Sequence, residues 1–102
     1  GLYMSRAALH GFMIEWTPAQ QDLSTVIELE PGNCSAYALR GAVRLEMGYP
    51  EEAIEDLSAA IEISPDSVRY YDWRAYAYQM IGDEDRARAD LETSELLSGE
   101  NE

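Results

Sequence analysis

Apolar residues return every three or four positions along this chain, in blocks broken by glycine and proline. That period is helical, and no stretch shows the strict alternation of a half-buried strand. The first block predicts a helix from about Leu2 to Ile14, with Tyr3, Ala7, His10 and Ile14 on one face. Thr17 as a cap, Pro18 at the first helical position and Gln20 completing a capping box predict a second helix. Its stripe is Ala19, Leu23, Val26, Ile27 and Leu29, and Pro31-Gly32 ends it. Asn33 caps a third helix, about Cys34 to Met47, stopped by Gly48. Pro50 opens a fourth, about Glu51 to Ile63, with Glu51 and Glu52 suited to its dipole. The fifth runs from about Ser67 to Ile81 and ends at Gly82. Asp83 caps the sixth, about Glu84 to Leu97, and Ser98 to Glu102 reads as a frayed tail.

The blocks repeat at a fixed step. Tyr3, Tyr37 and Tyr71 lie 34 residues apart, as do Arg6, Arg40 and Arg74. So do Ala19, Ala53 and Ala87, and Leu23, Leu57 and Leu91; Gly48 returns as Gly82. A period of this length means stacked helix pairs, none able to bury its apolar face alone. Small residues at Gly41, Ala75, Ala53, Ala60 and Ala87 let helices approach closely, and Tyr37, Tyr71, Leu57 and Leu91 fill the space beside them.

These residues carry a resemblance. Tyr37, Gly41, Ala53, Leu57, Ala60 and Pro65 in the middle unit resemble the tetratricopeptide repeat (TPR) family. So do Tyr71, Ala75, Tyr78, Gly82, Ala87 and Leu91 in the third unit, and Tyr3, Ala7, Ala19, Leu23 and Pro31 in the first. The resemblance implies an all-α helical solenoid of three antiparallel helix pairs in a right-handed superhelix. One domain over 1–102 would hold three consecutive repeats, about 1–33, 34–67 and 68–102. The first unit departs most: Ile14 stands where the others have the turn glycine, and His10 where the family has tyrosine. The pattern begins inside a repeat at Gly1, as expected of a piece of a longer chain.

Charge narrows the partners. Seven Arg and no Lys face 20 Asp plus Glu, for a net charge of −13. Nucleic acid and anionic membranes need a basic footprint and are not expected as partners. A basic or apolar protein or peptide is compatible. No stretch approaches a membrane span, and no leader pattern precedes the first helix. The lone Cys34 excludes an internal disulfide and fits a reducing, cytoplasmic setting. With one histidine and no glycine-rich phosphate loop or nucleophile motif, the chain reads as no enzyme, with no cofactor or metal.

Two constellations remain. Arg6, Arg40 and Arg74 are each followed 16 residues later by aspartate: Asp22, Asp56 and Asp90. Each arginine lies on the face that meets the partner helix, where a guanidinium needs a carboxylate. The threefold recurrence predicts interhelical ion pairs; the alternative is independent surface charges. The second constellation is a stripe at i, i+4, i+7 and i+11, namely Arg69, Trp73, Tyr76 and Met80. Its equivalents are Ser35, Leu39, Ala42 and Glu46, then Gly1, Ser5, Ala8 and Phe12, with Met4, Ala38 and Leu45 nearby. The resemblance implies that such first helices line a concave, peptide-binding groove. The carboxylate-gripping set of some chaperone-binding members is not present at Met4, Ala8, Leu39, Arg69 and Trp73. The expected function is a non-catalytic protein-interaction module binding a peptide or partner on that face. The alternative is self-association or capping of a longer solenoid: Leu91 can pack within its own repeat, but Leu96 and Leu97, with Trp73, Tyr76 and Met80, form a patch that predicts a weak homodimer through the C-terminal repeat. An auxiliary domain of an enzyme is the third reading.

Overall fold

The computed structural model describes the backbone of residues 9–99 and the side chains of residues 18–99. Within them the chain is an all-α helical solenoid of five helices: α1 (Leu9–Leu29), α2 (Cys34–Met47), α3 (Pro50–Ile63), α4 (Val68–Met80) and α5 (Glu84–Ser98). Each helix packs on its chain neighbours, and α2 also touches α4. The result is an elongated body of 43 × 33 × 23 Å.

Local chemistry sets the boundaries. The Asn33 side chain accepts from the Ala36 amide to start α2, and Asp83 accepts from the Arg86 amide to start α5. Pro50 opens α3 without a side-chain cap at Tyr49. Gly48 and Gly82 close α2 and α4 with φ of +87° and +83°. That left-handed conformation is open to glycine at little cost.

The first unit differs from its sequence pattern. In place of helices over Leu2–Ile14 and Pro18–Leu29 with a turn between, α1 runs unbroken through Pro18. Thr17 and Pro18 are therefore helix interior, not a cap and a first position. The reason lies at residue 14. The register of Gly48 and Gly82 holds Ile14, a β-branched residue for which a positive φ is a steric outlier. Without a left-handed hinge the chain does not reverse, although Pro18 removes one backbone hydrogen bond. The predicted start at Leu2 lies outside the described residues.

The core follows the small-residue code. Ala38, Leu57 and Ala60 form its centre, with Cys34, Tyr37, Leu45, Tyr70 and Trp73 packed against it. Ala53, Ala75, Ala77 and Ala87 are also buried. Gly41 marks a close approach of α2 to α3. A Cβ there would lie 3.0 Å from Leu57 Cγ and 3.3 Å from the Ala53 carbonyl oxygen.

Candidate functional site

The repeating arginines sit in the seams between helices. Arg40 on α2 donates Nε to Asp56 Oδ2 at 2.9 Å and Nη2 to Oδ1 at 2.7 Å. Arg74 on α4 donates to Asp90 in the same two-pronged way, both at 2.8 Å. Parallel bonds of this kind match the planar guanidinium to a carboxylate. Each arginine has a third bond, backwards across the seam. Arg40 Nη1 donates to Ser24 Oγ at 2.9 Å, and Arg74 Nη1 to Ser58 Oγ at 3.0 Å. One guanidinium thus joins its own helix pair to the preceding helix. The sequence carried that signal, since Ser24 and Ser58 also stand 34 apart and 16 before each arginine. Charge-only reasoning passed them over.

Asp56 receives a second cation. Arg44 Nη1 donates to Asp56 Oδ2 at 3.0 Å, and Arg44 Nε to Gln20 Oε1 at 2.7 Å. The third unit has Tyr78 in the register of Arg44, so Asp90 has a single arginine. The bonds to Asp56 and Asp90 hold the Arg40 and Arg74 guanidiniums above their ordinary pKa, burial opposing in part. No buried side-chain nitrogen or oxygen among the described residues lacks a hydrogen-bond partner. Asp22 is exposed on α1, and its proposed partner Arg6 lies outside the described residues.

The stripe residues converge between α2 and α4. Leu39, Ala42, Val43, Leu45, Glu46, Trp73 and Tyr76 line a mostly apolar groove of about 470 Å³. A smaller hollow of about 190 Å³ continues it toward the starts of both helices, lined by Ser35, Ala38, Leu39, Arg69, Tyr70 and Trp73. Leu39 and Trp73 belong to both. The Arg69 guanidinium lies 5.8 Å from the Trp73 ring centroid, a cation–π arrangement. Tyr70, which the sequence reading missed, tilts against Trp73 and donates its hydroxyl to Cys34 Sγ at 3.7 Å. Burial, then the Cys34 bond, pushes the Tyr70 phenol up from its ordinary value.

Not every stripe residue reaches the groove. Ala38 is buried in the core and only floors the smaller hollow. Met80 is exposed and lines neither hollow. Met4 and Ala8 lie outside the described residues, as does the side chain of Phe12. Val43 was missed because it follows a stripe residue, Ala42, and reads as core.

Comparison with known proteins fits this geometry. Residues 50–82 match the TPR repeat family. That TPR repeat spans α3 and α4, from the proline that opens one to the glycine that closes the other. The fold is similar to a crystal structure of MamA, at TM-score 0.82 and 30% identity, covering 88% of this chain and 53% of that one. A second MamA crystal structure aligns at TM-score 0.80 and 30% identity, covering 87% of this chain and 49% of that one. MamA 41-end from Desulfovibrio magneticus RS-1 aligns at TM-score 0.81 over 96% of this chain and 55% of that one. Its 20% identity speaks to the fold alone. The chain spans about half the length of these structures. No curated protein matches it. The architecture is therefore a TPR-like helical solenoid. No helix among the described residues is long and apolar enough to cross a membrane.

Proposed function

We propose that this chain is a non-catalytic protein-interaction module whose α2–α4 groove takes an apolar segment of a peptide or partner protein. One observation carries the reading. The first helices of two successive pairs bring Leu39, Ala42, Trp73 and Tyr76 together at a groove of about 470 Å³. Concave, mostly apolar hollows with a few polar groups at their edges are where ligands bind, and aromatic and arginine side chains dominate binding energy. The TPR-like fold supports a protein partner. The core accounts for Leu57 and the alanines, yet leaves Leu39 half exposed and Tyr76 at 56% exposure.

The test is a displayed peptide library selected on the wild type, with winners measured against Leu39→Glu. Leu39 is exposed, so the charge should spare the fold, which circular dichroism checks. Loss of about tenfold or more in affinity is expected for a contact at the centre of a groove. Winners that bind Leu39→Glu as well as wild type contradict the reading.

Self-association is a second reading with its own observation. Leu91 is 39% exposed where Leu57, in the same register, is fully buried, and Leu96 is 66% exposed. A twofold pairing through α5 would cover these leucines. Like charge opposes it, so sedimentation should show mass rising with protein concentration and with salt. A monomer under all conditions removes this reading.

A further inference from the structure

The six arginines of the described residues are not equivalent. Five have a carboxylate within 4.0 Å: Arg40 and Arg44 with Asp56, Arg74 with Asp90, Arg86 with Asp83, Arg88 with Asp85. Arg69 has none among the described residues; its contact is the face of Trp73. In a chain with 20 acidic residues and seven arginines, an unpaired guanidinium is the exception. It lines the hollow at the start of the groove, beside the Ser35 hydroxyl and the Tyr70 ring. The other end of the groove is lined by Glu46, in the last turn of α2. No salt bridge engages Glu46 among the described residues. Between the two charges lie Leu39, Ala42 and Trp73. The helix dipoles add the same sense, positive at the starts of α2 and α4 and negative at the end of α2.

We propose that this groove selects a peptide by charge order, taking an acidic side chain at Arg69, a bulky apolar side chain over Leu39 and Trp73, and a basic side chain at Glu46. This rests on the groove being a binding site at all. Ser35 to Glu46 is eleven residue steps of α2, or about 16 Å at the helical rise. An extended ligand covers that in about five residues. The acidic requirement runs against the bulk charge of −13, which by itself would disfavour any glutamate on the ligand. A gain from glutamate is therefore a local signature.

The experiment uses four labelled synthetic peptides read by fluorescence anisotropy at low salt. Ala-Ala-Leu-Trp-Leu-Ala is the neutral reference. The others place glutamate first, arginine last, or both. On the wild type each charge should tighten binding about two- to fivefold, the range of exposed ion pairs. Arg69→Gln should abolish the gain from glutamate and keep that from arginine; Glu46→Gln should do the reverse. Both substitutions are on exposed side chains outside the core. Binding of all four peptides that weakens with glutamate, or responds equally to both substitutions, overturns the charge order and leaves the groove standing. No binding of any peptide, with folded protein, overturns the groove and the charge order together.

Discussion

At the scale of single residues, the guanidinium–carboxylate pairs are buried enough to matter. The Arg40 and Asp56 side chains are 17% and 4% exposed. Removing one member of such a pair strands the other, at about 3–5 kcal/mol. Asp56→Ala strands two arginines and Asp90→Ala one, so urea unfolding should show the greater loss for Asp56→Ala. A double-mutant cycle on Arg40 and Asp56 should show coupling, and none would mean that the contact contributes nothing. The raised guanidinium values place the loss of this stability at extreme alkaline pH, so the pairs act across the neutral range. Tyr70 titrates lower. Its folded value lies above the ordinary 10.0, so its contribution is whole below the unfolded value and lost as pH rises through the folded one. Thermal melts of Tyr70→Phe and wild type should therefore converge, or cross in the variant's favour, above that pH. A constant difference would show that the phenol stays coupled equally in both states. The Arg40–Asp56 and Arg74–Asp90 pairs were legible because charge recurred with the repeat. Arg44 was not, because it appears in one unit only.

At the scale of elements, boundaries were legible wherever a residue has one dominant conformational use. Asn33, Gly48, Pro50, Gly82 and Asp83 mark helix ends in the sequence, and helices end there. The first unit was misread because Thr17-Pro18-Ala19-Gln20 is also a good start signal. A proline at a first helical position and one inside a helix leave the same local trace; the residue that decides is Ile14, four positions earlier. This gives a direct prediction. Proline inside a helix costs about 3 kcal/mol relative to alanine, and at the first position almost nothing. Pro18→Ala should raise the melting temperature by several degrees. An unchanged or lower value would mean that α1 starts a new helix at Pro18.

Across the whole molecule, the surface of α5 differs in character from that of α3. Ile54 and Ile61 on α3 have Arg88 and Glu95 in their register on α5, both exposed. The positions that are apolar on α3 are therefore charged and exposed on α5. The leucines left over, Leu96 foremost, lie beside that register. The face that borders the groove was legible from helical spacing, because a stripe at i, i+4, i+7 is one face whatever the superhelix does; that two first helices would line a groove came from the resemblance to TPR repeats. Its depth, its division at Leu39 and Trp73, and the isolation of Arg69 depend on which side chains find partners, and pattern does not encode that. Amide hydrogen exchange on the complex with a selected peptide tests the groove most directly, since it reports every helix at once. Protection concentrated in α2 from Ser35 to Glu46 and in α4 from Arg69 to Tyr76, with α5 unchanged, is the predicted result. Protection on α5 around Leu91 to Leu97, with α2 and α4 unchanged, would contradict it.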